Sequence, residues 1–230
     1  ALADTFNEFR SVASGSDGRV VFVREDRLRG APFPNRAELA VAAIGSLGSP
    51  QVLRSIPFTI AGQPIYNAVH QIRWLGSNAV VYRAGFDGSV CDAAAIGCGP
   101  GSSIAVSSGF GLVMQPLDPA AGGPAFIPGT DLASSVAASA DGDAIFYTVS
   151  GESRVYRLVR STGVVTVVFD QPGLLVRDVQ VADNRLVVVV GGTVRYFVGQ
   201  GVGPVQSDRG GDLYLVDIGS GTFTVLNPPN

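Results

Sequence analysis

The sequence predicts an all-β chain, a β-propeller of about four four-stranded antiparallel blades, on three observations. A strand, a polar turn and a second, more apolar strand recur four times along the 230 residues. Val, Ile, Phe, Tyr and Thr dominate the apolar segments, which suits a pleated surface, while Lys is absent, Glu is scarce and Gly or Pro interrupts almost every run long enough for a helix. Strands such as Leu186 to Val190 are apolar on both faces, as befits a strand sandwiched between neighbouring blades. A single blade cannot bury both its faces, so blades come in arrays.

The four copies align by eye. The first runs Ser11-Val12-Ala13-Ser14-Gly15-Ser16-Asp17-Gly18-Arg19-Val20-Val21-Phe22, and the second runs Gln71-Ile72-Arg73-Trp74-Leu75-Gly76-Ser77-Asn78-Ala79-Val80-Val81-Tyr82. The third is Ser135 to Phe146, with Asp141-Gly142-Asp143 at its turn, and the fourth is Asp178 to Val188, turning at Asp183-Asn184. Taking Asp17, Ser77, Asp141 and Asp183 as markers, the steps are 60, 64 and 42 residues, so the first two carry insertions beyond the ~40 to 50 residues of a blade. Two further strands follow each turn. In the third unit they are Arg154 to Leu158 and Val164 to Val168 around Arg160-Ser161-Thr162-Gly163; in the fourth, Leu213 to Asp217 and Thr222 to Leu226 around Ile218-Gly219-Ser220-Gly221. The looser first two units supply Leu39 to Ala42 with Val52 to Arg54, and Leu112 to Met114 with Phe126-Ile127. One domain, 1–230, is expected, with blades near 9–57, 68–129, 133–170 and 176–227.

The turn Ser139-Ala140-Asp141-Gly142 before an apolar strand, followed by Val155-Tyr156-Arg157-Leu158 or Leu213-Tyr214-Leu215-Val216-Asp217 and a Gly-containing hairpin, resembles the TolB-like propeller repeat of bacterial envelope proteins. The resemblance covers most of 9–230. It implies a propeller fold; its functions range over binding proteins, peptidase gating domains and several enzymes. Such propellers usually have six or seven blades, and four are counted here, so the chain reads either as a small propeller or as part of a longer array.

Composition excludes several functions. All 16 basic residues are Arg, so Schiff-base chemistry and a P-loop, which need a lysine amine, cannot be built from this chain. A net charge of −3 argues against nucleic acid as a partner, because phosphate binding needs a clustered basic face. The run Arg24 to Arg29 is offset by Glu25 and Asp26 and reads as a solvated loop. Mean hydropathy is high, +0.31, yet no apolar stretch approaches the ~20 residues of a membrane-spanning helix.

Two cysteines, Cys91 and Cys98, close a short Gly- and Ala-rich segment; a disulfide is the expected state, with free thiols as the alternative. The opening Ala1-Leu2-Ala3 has the small-x-small form of a signal-peptide cleavage site and, with the cysteine pair, points to a periplasmic or extracellular bacterial location.

Catalytic signatures are missing: there is no Gly-x-Ser-x-Gly, and one histidine with two cysteines cannot make a zinc site. Neither cofactor nor metal is expected. Asp17, Asp141 and Asp183 read as turn-shaping carboxylates, and Trp74, aligned with small residues elsewhere, reads as a packing residue at a blade junction. The expected function is a non-catalytic interaction or structural subunit of a cell-envelope complex, binding protein through loops 25–37 and 83–111 with Phe33, Phe86 and Phe110 as apolar anchors. The alternative is a propeller enzyme or small-ligand binder using polar loops at the central channel, with Asp17, Asp141, Asp178 and His70 as the residues to test.

Overall fold

The computed structural model describes residues 5–28, 36–56, 59–60, 63–64, 69–85, 110–196 and 205–226. The chain divides into two compact units, Ala1–Leu132 and Ala133–Asn230. Each holds two four-stranded antiparallel sheets whose strands follow one another in chain order.

In the first unit, β1 (Thr5–Ser14), β2 (Arg19–Leu28), β3 (Arg36–Ala43) and β4 (Gln51–Ile56) make one sheet. A two-residue hairpin, β5 (Thr59–Ile60) and β6 (Gln63–Pro64), precedes the second, which contains β7 (His70–Leu75), β8 (Ala79–Gly85), β9 (Phe110–Pro116) and β10 (Ala125–Phe126). The second unit contains β11 (Ala133–Ala138), β12 (Ala144–Val149), β13 (Arg154–Val159) and β14 (Val164–Asp170), then β15 (Leu175–Ala182), β16 (Arg185–Tyr196), β17 (Val205–Asp217) and β18 (Phe223–Val225). Helix among the described residues is confined to single 3₁₀ turns at Ile44–Ser46 and Pro119–Ala121.

The first turn of each sheet is built by the residues singled out in the repeat. Asp17 Oδ1 accepts the Arg19 N–H at 3.1 Å, and Gly18 supplies a φ of +75°. Asp141 accepts the Asp143 N–H at 3.0 Å beside Gly142, with a φ of +77°, and the Ser139 hydroxyl donates to Asp141 while accepting the Ala144 N–H. Asp183 plays a different part: it takes a left-handed φ of +54° in a two-residue hairpin turn between Ala182 and Arg185.

Alternate residues of these strands face the cores. In the first unit Val21, Leu39, Ile72, Val80, Tyr82 and Val113 form one buried cluster. In the second, Phe146, Val155, Phe169, Val179, Leu186, Val188, Tyr214 and Val216 form another, in which Phe169 and Tyr214 meet edge to face at 5.2 Å. Burial of each such side chain contributes roughly 1.5–3 kcal/mol before conformational entropy is set against it.

Two local expectations change. Arg24 to Leu28 is not a loop: β2 continues through it, paired to β1 on one side and, from Arg24 to Asp26, to β3 on the other. Pairing on both sides lets the charged run extend the strand, and Arg24 reaches across the ladder to Glu38 at 2.5 Å. Likewise β16 and β17 run well past Val190 and Leu213, through a register shift between Val190 and Gly192 where glycine tolerates the bend.

Candidate functional site

The opening strand of every four-stranded sheet is bulged against its neighbour. Register shifts fall between Arg10 and Ala13 in β1, His70 and Arg73 in β7, Ala133 and Ser135 in β11, and Val176 and Asp178 in β15. A bulge adds a residue to one strand, re-aims side chains and recurs next to binding sites. Within each unit the two bulged strands pack against one another, β1 on β7 and β11 on β15.

In the second unit this juxtaposition makes a polar latch. Ser135, fully buried on β11, donates its hydroxyl proton to Asp178 Oδ1 in a short bond and accepts the Val179 N–H at 3.3 Å. Asp178 Oδ1 also accepts the Val179 N–H at 2.9 Å, and Oδ2 accepts from Gln180 Nε2 at 3.1 Å. The preceding Ser134 hydroxyl hydrogen-bonds the Thr148 hydroxyl at 2.8 Å. With no solvent access and its hydroxyl committed to both Asp178 and the Val179 N–H, Ser135 is arranged as a strand-to-strand tie.

The first unit offers polar atoms with capacity to spare. Gln71, at the β7 bulge, has a φ of +54°, and its Oε1 is buried with no hydrogen-bond partner. Strain of this kind at a non-glycine residue, together with an unsatisfied buried acceptor, is more usual at a binding surface than in a purely structural strand. Two residues on, Arg73 Nη1 donates to the Ile72 carbonyl at 3.0 Å while its Nε is buried without a partner. His70 pairs in register with Arg83, whose guanidinium burial pushes down.

Trp74 occupies the junction expected of it. Its Nε1 donates to the Ala13 carbonyl at 3.0 Å, and the Arg19 guanidinium lies 5.4 Å from the ring centroid. Arg19 continues the tie by donating to the Ser77 carbonyl at 2.6 Å and to Asp17 Oδ2 at 2.7 Å.

Of the other residues named from sequence, Asp17 and Asp141 are exposed turn carboxylates. Asp17 is held below its ordinary value by hydrogen bonds from the Arg19 side chain and backbone, and Asp141 by those from the Ser139 hydroxyl and the Asp143 N–H. Acidified this way, they are poor proton donors near neutrality. The side chain of His70 lies outside the described residues, as do Phe33, Phe86, Cys91 and Cys98. Phe110 opens β9 opposite Gly85, its side chain also outside. Among the described residues, no three His, Cys, Asp or Glu side chains gather as a metal site would need. Ser135 and the binding potential of Gln71 were missed from sequence; the only signal was a polar residue at an inward-facing position of a strand.

No family model matches the chain, and no curated protein matches it. Solved structures do. The chain is similar to TolB from Acinetobacter baumannii, at 13% identity and a TM-score of 0.57, covering 96% of this chain and 44% of that one. It is similar to a puromycin-hydrolyzing peptidase of Mycobacterium tuberculosis, at 13% identity and a TM-score of 0.57, over 97% of this chain and 30% of the peptidase. The tricorn protease matches at 12% identity and a TM-score of 0.52, over 100% of this chain and 18% of the protease. The chain thus spans less than half the length of each of these proteins. At such identity the likeness establishes the fold, a β-propeller, and leaves function to the site.

These likenesses correct one expectation. Missing catalytic motifs led to the reading that the chain is not an enzyme, yet the same architecture occurs in a peptidase and a protease. A propeller site is assembled from separate loops and leaves no contiguous motif, so motif absence does not decide catalysis.

Proposed function

We propose that the chain is a protein-interaction propeller module of a bacterial cell-envelope complex, acting in the periplasm or outside the cell. The observation that carries this is the apolar surface at the end of the second unit. Phe223, Val225 and Leu226 are 47%, 48% and 47% exposed, an uncommon display of large side chains in one short segment. Phe223 is at the same time fixed by edge-to-face contacts with Phe169 and Tyr214 at 5.5 Å and 5.4 Å, so the surface is presented rigidly. Likeness to TolB supports the class of function. Phe33, Phe86 and Phe110, in or beside the two long insertions, are proposed as further anchors, with a Cys91–Cys98 disulfide bracing the larger one. No helix among the described residues is long and apolar enough to cross a membrane.

A second reading, a small-ligand or enzymatic site at the bulge of β7, is favoured by the strained Gln71 and its unsatisfied oxygen. Affinity purification from the native envelope fraction separates the two. Deleting residues 86–108 or introducing Phe223→Asp should release the partner under the first reading. Unchanged partner recovery, with small-molecule turnover abolished by replacing His70 or Gln71, would install the second.

A further inference from the structure

The four sheets end in strands of very different exposure to pairing. β10 and β18 are only two and three residues long, and β4 carries Arg54 in its middle. Short strands and charges are devices by which sheets avoid joining edge to edge. β14 is long and keeps its one charge, Asp170, at its far end: its first five residues, Val164-Val165-Thr166-Val167-Val168, carry no charge, no proline and strong β propensity. Val164, Val165 and Val167 are 52%, 46% and 49% exposed. A bulge ends the regular ladder at Val168, where Val155 and Tyr156 face Phe169 and Val167.

The segment also reads the same in both directions. Antiparallel pairing about a two-fold axis requires a surface complementary to itself, and a palindromic strand meets that requirement residue for residue. With the axis at Thr166, Val165 faces the second copy's Val167 and Val164 faces its Val168, so every cross-strand pair is Val with Val or Thr with Thr. Charge agrees: Asp170 falls opposite the second copy's Thr162, and no like charges are opposed. We infer that β14 is a homotypic docking edge, through which two copies of this chain pair antiparallel about Thr166.

Area sets the strength of this contact. Five residues from each copy bury on the order of 700 Å², below the ~1,200 Å² of stable interfaces, which makes the pair a weak, transient dimer. Such an edge gains in effect when copies are held near one another. The inference is independent of the proposed envelope partner, which is assigned to β18 and the insertions.

Sedimentation velocity from about 10 µM to about 1 mM tests it over the concentrations at which a weak pair assembles. A reversible shift toward dimer is expected, and Val165→Lys with Val167→Lys should remove it while leaving the circular dichroism spectrum unchanged. In a background with Cys91→Ser and Cys98→Ser, Thr166→Cys should form an intermolecular disulfide under mild oxidation. Directly opposed residues lie ~4.5–5.5 Å apart at Cα, within disulfide range. Val225→Cys, equally exposed but off the axis, should cross-link at least about tenfold more slowly. A chain that stays monomeric at the highest concentration, a dimer that survives both lysines, or equal cross-linking at the two positions would overturn the proposal. So would protection of the β14 amides from hydrogen exchange only on adding a different protein.

Discussion

Trp74 Nε1 donates a 3.0 Å hydrogen bond to the carbonyl of Ala13, tying the opening strand of the second sheet to that of the first. Gly15 lies under the ring: a Cβ there would sit 3.0 Å from Trp74 Cε2 and Cζ2. Trp74→Phe should therefore cost about 1 kcal/mol, for the carbonyl left without its donor. Trp74→Ala should cost about 3 kcal/mol. Gly15→Ala should destabilise the native protein clearly and the Trp74→Ala variant far less. Urea unfolding of the four combinations measures that coupling, and additive effects would contradict the contact.

Glu38 is 1% exposed and is paired with Arg24 at 2.5 Å. Arg24→Met removes a cationic partner from a buried carboxylate and should cost up to about 3 kcal/mol, whereas Arg24→Met combined with Glu38→Gln should recover part of that loss. Denaturant midpoints of the single and double variants decide the matter; a double variant as unstable as the sum of the singles would refute it.

The Ser135–Asp178 latch predicts that Ser135→Ala and Asp178→Ala are each destabilising, by about 1–3 kcal/mol, because each breaks a charge-assisted bond made by a buried hydroxyl. Their effects should be non-additive, since both remove the same bond. Amide exchange at Val179, which donates to both side chains, should accelerate in either variant. Protection unchanged at that amide would remove the latch from the account.

Acid should weaken the turns. Four aspartates at turns and strand ends are depressed below the ordinary 3.8: Asp17 by Arg19, Asp141 by the Ser139 hydroxyl, Asp170 by the Ser153 hydroxyl and then Arg154, and Asp217 by the Ser220 N–H and hydroxyl. A carboxyl depressed on folding binds protons more readily in the unfolded chain. Its stabilisation is complete above the unfolded value and lost as pH falls through the folded one. Thermal midpoints should be flat above about pH 5 and drop below about pH 4, less steeply in Asp141→Asn. A profile whose fall begins near neutrality would point to other groups.

Much of the architecture was legible because it is written in short-range chemistry. Asp17-Gly18 and Asp141-Gly142 announce turns since a carboxylate that caps its own backbone and a residue free to take positive φ are needed side by side. Trp74 stood out because a large ring replaced small residues at one repeat position. Arg24 to Leu28 misled because charge content was read as solvation, whereas one charge had its partner on the adjacent strand, fourteen residues away. The Ser135–Asp178 bond, spanning 43 residues, had no local signature.

Periodicity and turn chemistry thus determined from sequence alone that the chain is all β, that its strands come in fours and that each sheet is an antiparallel meander, because these depend on residues within one hairpin of each other. Tertiary structure alone decided which strands bulge, which polar side chains close onto a neighbouring sheet and which edge is left unguarded. Those properties arise where segments distant in sequence meet, and pairing energy there depends on register and burial that no local window contains.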